Sequence, residues 1–240
     1  MKKALNLLGT LALSGALLSI PVAAGTVSLT ISGTGPNGSY NGDQVFPYYI
    51  SVNNGSVLDM MCDDAQTTIG VPYTWNAYAN SLTLANITNS ALKFSTISSN
   101  TNTVLIDYEA AALIESDASS NSFSNLNFTG TSVTGVSIAD ANAAVWNIFD
   151  PNFSISQDNT LVSNLIANAK TAATAGGFNY GGITIYTPAP VGSSQEFLTG
   201  IVTGSMNQNN QSPVPEPGTY ALLGGGLFFL GFVGRRARKA

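Results

Sequence analysis

Apolar and polar residues alternate from Thr26 to Ser32, with Val27, Leu29 and Ile31 on one face, which predicts a half-buried strand. Residues 33–43 are crowded with glycine and asparagine and read as a turn-rich loop. Val45–Val52 and Ser56–Cys62 read as two strands joined by a hairpin at Asn53, Asn54 and Gly55, with Pro47 moving the first towards a sheet edge. In Tyr73–Leu84, the positions Trp75, Tyr78, Ala79 and Leu82 follow the spacing i, i+3, i+4, i+7 and predict a helix. Residues 86–101 are polar and loop-like.

Three helices with clearer signals follow. Val104–Glu115 lines up Leu105, Tyr108, Ala112 and Leu113 after an Asn/Thr cap region. Ser137–Phe149 opens on Ser137 and Asp140, a variant of the capping box, and puts Ile138, Ala141, Val145, Ile148 and Phe149 on one face. Asn159–Ala175 follows a cap at Asp158, carries the stripe Leu161, Val162, Leu165, Ile166, Ala169, Ala172 and Ala173, and stops at Gly176 and Gly177. Gly182–Tyr186 and Glu196–Thr203 are strand candidates. Strands, then helices, then strands predict an α+β fold, an antiparallel sheet with an inserted group of three to four helices.

Both ends of the chain differ from this middle. Lys2 and Lys3 precede an uncharged apolar run from Leu5 to Ile20, Pro21 breaks it, and Val22 and Ala24 are small. That is the pattern of a cleaved secretory signal peptide over residues 1–24. Residues 25–203 then form the secreted domain, 204–212 a polar linker, and 213–240 a separate tail. In that tail Pro213, Pro215, Glu216 and Pro217 make a stiff entry that refuses helix. Residues 218–234 are seventeen uncharged residues, the lower limit for a transmembrane helix, and Arg235, Arg236, Arg238 and Lys239 follow as a cytoplasmic basic stop. Three consecutive glycines, Gly224–Gly226, each cost about 1 kcal/mol in helix propensity, so the span suits a temporary anchor.

The order Pro-Glu-Pro, apolar span, basic cluster resembles the PEP-CTERM sorting signal of Gram-negative bacteria, also called the ice-binding protein C-terminal domain. The resemblance implies processing near Pro215, Glu216 and Pro217 by exosortase, after export through the Sec translocon. It also implies an inner-membrane intermediate and delivery to the cell surface or extracellular matrix, where exopolysaccharide or matrix proteins would be partners. A permanently membrane-anchored periplasmic domain is the alternative. No Thr-rich repeat of the kind that binds ice is present.

Charge sharpens this picture. Residues 25–216 keep Lys93 and Lys170 as their only basic residues against thirteen acids, a net charge of −11. Such a domain has no basic patch for phosphate, which argues against nucleic acid as a partner. The chain lacks histidine, so neither a Ser-His-Asp triad nor an imidazole zinc site is available. No pair of carboxylates stands out as an acid-only hydrolase site. The expectation is therefore no catalytic residues, no cofactor and no metal. Asp59, Asp63 and Asp64 offer oxygens for calcium but lack EF-hand spacing, and they read as a solvated strand end.

Cys62 is the lone cysteine. Its acidic neighbours would raise the thiol pKa, against a nucleophilic role. The segment Met61–Asp64, with Tyr108–Ile114 and Ala141–Asp150, resembles segments of other PEP-CTERM proteins. The same arrangement resembles the thioester domains of Gram-positive surface adhesins, in which a cysteine from an early strand joins a glutamine in a Gln-x-Ala-Ile-Trp type motif. Ala144, Val145 and Trp146 match the end of that motif, and Asn142 stands at the glutamine position, one methylene shorter. The resemblance implies a Cys62–Asn142 cross-link and a covalent adhesin. Core packing is the plainer account of Trp146.

Overall fold

The computed structural model describes residues 25–40, 42–120, 135–153 and 159–204. The expected signal peptide at residues 1–24, most of the expected polar linker, the C-terminal tail with its expected span at 218–234, and the expected Asp158 cap lie outside these residues.

The described residues form a closed antiparallel barrel with a layer of helices against one side. The chain opens with β1 (Thr26–Thr34), a small hairpin of β2 (Ser39–Tyr40) and β3 (Asp43–Gln44), then β4 (Tyr48–Val52), β5 (Val57–Cys62) and β6 (Tyr73–Ser81). The helices follow as α1 (Leu84–Thr88), α2 (Thr101–Ser119), α3 (Ile138–Phe149) and α4 (Asn159–Ala175). Then come β7 (Phe178–Asn179), β8 (Thr184–Pro188), β9 (Phe197–Thr199) and β10 (Thr203–Gly204). The barrel order is β1-β4-β5-β9-β8-β6, with β6 returning to β1. The expected antiparallel sheet with inserted helices is present; closure of the sheet was not foreseen.

Alternation places Leu29 and Ile31 of β1, Ile50 of β4, Met60 and Cys62 of β5, Trp75 and Ala77 of β6, Tyr186 of β8 and Phe197 of β9 in the barrel interior. The opposite faces of β5, β8 and β9 turn Met61, Ile185 and Leu198 to the helices, where they join α2, α3 and α4 in a second core. Helix α2 lies at its centre, with Ala110, Ala111 and Ala112 fully buried. Those small side chains let α3 and α4 approach it closely, and α2, α3 and α4 pack against one another pairwise.

Local signals succeeded where the chain closes on itself over a few residues. Asn53 and Asn54 both adopt positive φ (51° and 57°), the conformation a two-residue hairpin turn demands. Ser137 and Asp140 form a reciprocal capping box. Asn100 caps α2 by accepting from the N–H groups of Asn102 and Thr103, and the helix runs four residues beyond the expected Glu115. Gly176 and Gly177, both at positive φ, follow α4.

Three expectations fail. Residues 73–81 form strand β6 rather than a helix, paired in continuous register with β1 from Thr26↔Tyr78 to Ile31↔Tyr73 and with β8 on its other side. Trp75 and Ala77 also satisfy a period of two, and pairing on both edges decides between the periods. Pro47 does not mark an edge: it precedes β4, which lies between β1 and β5. The stretch read as loop from Asn86 contains most of α1, capped by Thr83, before it becomes irregular.

Candidate functional site

Strands β5 and β9 pair at Met61↔Leu198 and Cys62↔Phe197, and the ladder extends through the Asp63 N–H to the Glu196 carbonyl at 3.3 Å. This pairing joins two sequence-distant acidic stretches, Cys62-Asp63-Asp64 and Gln195-Glu196. Alternation separates their side chains. Cys62 and Phe197 enter the barrel, whereas Asp63 and Glu196 enter the seam between barrel and helices.

The seam is densely polar. Asp63, Asp64 and Glu196 are all fully buried. The expectation that Asp63 and Asp64 form a solvated strand end is therefore overturned: the helices and the segment around Lys93 cover the end of β5. Glu196 accepts hydrogen bonds from the Tyr108 hydroxyl at 2.6 Å, the Thr187 hydroxyl at 2.5 Å and the Lys93 backbone N–H at 2.9 Å. Asn80 supports Thr187 through its amide at 3.2 Å. Asp63 accepts no hydrogen bond among the described residues. Burial, then the nearby Glu196 and Asp64 charges, push its pKa well above the usual carboxylate range. Burial raises Glu196 too, against the hydrogen bonds it receives. Glu196 thus has three donors to stabilise its charge and Asp63 has none among the described residues, so Asp63 is the costlier of the two to ionise.

Asp64 is held differently. Its Oδ1 accepts from the N–H groups of Gln66 at 3.1 Å and Thr67 at 3.2 Å, and its Oδ2 meets the Lys93 ammonium. Lys93 also donates to Thr67 Oγ1 at 2.8 Å.

On the barrel side, the Cys62 thiol donates to the Asp64 carbonyl at 3.3 Å. The same carbonyl accepts the Gln195 side-chain amide at 3.2 Å. Burial, then Asp63 and Asp64, hold the thiol pKa well above its ordinary value, while the Asp64 backbone N–H, 3.4 Å from the sulfur, opposes the rise. The sequence correctly predicts the direction, but burial rather than neighbouring charge is the main cause. Gln195 and Trp146 line a cleft of about 170 Å³ bordered also by Asp43, Tyr48, Thr67 and Ile69.

Asn142 does lie beside Cys62, on α3. Its Nδ2 donates to the Cys62 backbone carbonyl at 2.9 Å and its Oδ1 accepts the Phe46 N–H at 2.7 Å. Both ends of this fully buried amide are committed to backbone, so it ties α3 to β5 and to the entry of β4. Sequence reasoning missed Gln195, Glu196, Tyr108 and Lys93. The only available signal was an acid and an amide opening an apolar strand, Gln195-Glu196-Phe197-Leu198. The sorting residues Pro215, Glu216, Pro217, Arg235, Arg236, Arg238 and Lys239 lie outside the described residues. Among the described residues no helix is long and apolar enough to cross a membrane.

Residues 213–239 match the family model of the PEP-CTERM protein-sorting motif. The chain thus carries this signal, which makes exosortase its processing partner and implies export, a membrane-held intermediate and delivery to the surface. No curated protein matches the chain. Among solved structures, the N-terminal domain of the Streptococcus pyogenes pilus tip adhesin Cpa aligns at 10% identity with a TM-score of 0.38, over 76% of this chain and 95% of that one. A likeness of that size fixes neither fold nor function.

Proposed function

We propose that this is a secreted surface or extracellular-matrix protein of an exopolysaccharide-producing Gram-negative bacterium, acting as a binding or structural module rather than an enzyme. Its two hydrophobic ends are addresses, read by the Sec translocon and by exosortase. Its working part is the acidic barrel-and-helix domain of residues 25–203. The observation that carries this reading is the sorting motif at residues 213–239. The domain's net charge suits a soluble matrix component that engages neutral polysaccharide or matrix protein through polar groups.

Comparison of the protein from the producing strain and from an exosortase-deficient strain tests this. The expected product begins near Gly25 and ends near Pro215, with the tail retained only in the deficient strain. Deletion of Pro215, Glu216 and Pro217 leaves the precursor uncut. An intact C-terminus in both strains overturns the reading in favour of a permanent anchor.

A second reading, a covalent adhesin, is favoured by the convergence of the Cys62 thiol and the Gln195 amide on the Asp64 carbonyl. The thiol would add to the Gln195 side-chain carbonyl carbon, and ammonia would leave as the thioester forms. An amine on a partner would then displace the thiol and form an amide. Gln195 fits this role better than Asn142, whose amide is tied to backbone at both ends. Denatured protein lacking one ammonia and a titratable thiol supports this reading. A free, stoichiometric Cys62 thiol removes it.

A further inference from the structure

We propose that Lys93 and Asp64 become joined by an intramolecular isopeptide bond. The lysine Nζ meets Asp64 Oδ2, and it is steered there by Thr67 Oγ1 at 2.8 Å and the Ser194 carbonyl at 3.4 Å. The Asp64 side chain is completely buried and that of Lys93 is 14% exposed.

Each partner is held by bonds independent of their mutual attraction. The Gln66 and Thr67 N–H groups fix Asp64 Oδ1, so the carboxyl presents Oδ2 to the lysine. Glu196 grips the Lys93 backbone N–H, and the ammonium lies 5.7 Å from the centre of the Phe94 ring. Two reacting groups tethered in this way gain an effective concentration that no dissolved amine and acid can reach. A buried ion pair also pays a desolvation cost that largely offsets its attraction, and condensation removes both charges.

The reaction balances without a cofactor. One proton passes from the ammonium to the carboxylate within the pair. The freed Nζ lone pair adds to Asp64 Cγ. The C–O bond to the protonated oxygen breaks, the nitrogen gives up a second proton, and one water leaves as the amide remains. Glu196 acts as a positioning residue. The bond joins the end of β5 to the segment preceding α2, so it would lock the barrel to the helical layer. Lys170 and Asp107 provide an internal control: they pair at 2.7 Å, but the lysine side chain is 38% exposed and lacks such a cage.

The test is the mass of the exported, fully denatured protein, followed by digestion after aromatic residues. The expected result is a deficit of one water, traced to a peptide containing Asp64 joined to one containing Lys93, with Lys170 and Asp107 unmodified. Lys93→Arg keeps the charge but should restore the full mass. Separate, unmodified Asp64 and Lys93 peptides from the wild-type protein overturn the proposal, and so does a water deficit that persists in Lys93→Arg. The wild-type measurement stands even if the variant does not fold. The thioester at Cys62 would remove ammonia rather than water, so either bond can fail without the other.

Discussion

The interior of the barrel and the seam beneath the helices are equally buried but differently built. Inside the barrel, Leu29, Ile31, Ile50 and Met60 surround Phe197, whose ring meets Tyr48 edge-on with centroids 5.3 Å apart. Its cohesion comes from apolar area and close packing. In the seam, one or two residues away along the same strands, the Tyr108 hydroxyl and the Lys93 N–H bond Glu196, the Lys93 ammonium pairs with Asp64, and Asp63 lies buried without a hydrogen bond among the described residues. Strand alternation makes this possible, because neighbouring residues of β5 and β9 belong to different environments. A packed interior tolerates a change of pH. A buried polar seam depends on keeping each proton in place.

Four substitutions sharpen this contrast. Phe197→Ala removes the ring at the centre of the barrel and should cost about 4 kcal/mol in urea unfolding, by the same amount at pH 5 and pH 8. Lys93→Met leaves the Asp64 carboxylate buried without its partner and should cost about 3 kcal/mol at neutral pH. A cost of Lys93→Met within about 0.5 kcal/mol of zero would erase the proposed difference between the regions.

Glu115 gives a smaller effect of opposite sign. It is almost fully buried on α2, and burial pushes its carboxyl up to about 8, against a hydrogen bond from Ser119. The folded chain therefore holds this proton more tightly than the unfolded chain. The resulting stability is fully present below the ordinary value of 4.5 and is lost as pH rises through about 8. Glu115→Gln should leave thermal stability unchanged at pH 4 and raise it at pH 8, by on the order of 2 kcal/mol. A rise of the same size at both pH values would show that the carboxyl proton is not involved.

The smallest effect is expected at the surface. Ser137→Ala removes the hydroxyl that accepts the Asp140 N–H at 3.1 Å and should cost about 1 kcal/mol, without pH dependence around neutrality. Thermal melts of the variant at pH 6 and pH 8 check this.

Local chemistry was legible and long-range pairing was not, as Tyr73–Ser81 illustrates. Its apolar positions fit a helical stripe through Trp75, Tyr78, Ala79 and Leu82, and they fit a strand through Trp75 and Ala77. Only β1 on one edge and β8 on the other settle the choice. Asp63 and Asp64 failed for the same reason. A run of acids in sequence looks solvated until Lys93 arrives from elsewhere in the chain to pair with Asp64, and packing buries Asp63 beside it. Gln195 had no local signal that tied it to Cys62, more than a hundred residues away.

The sequence by itself determined the sorting signal at residues 213–239, the turn at Asn53 and Asn54, the capping box at Ser137 and Asp140, and the absence of imidazole chemistry. Each depends on residues within a short span, where covalent connection already sets the geometry. Tertiary structure alone decided the closure of the barrel, the division of β5 and β9 between dry interior and polar seam, the meeting of Lys93 with Asp64, and the convergence of Cys62 and Gln195 on the Asp64 carbonyl. These depend on strand pairings between distant segments, whose partners are selected by the burial they achieve together.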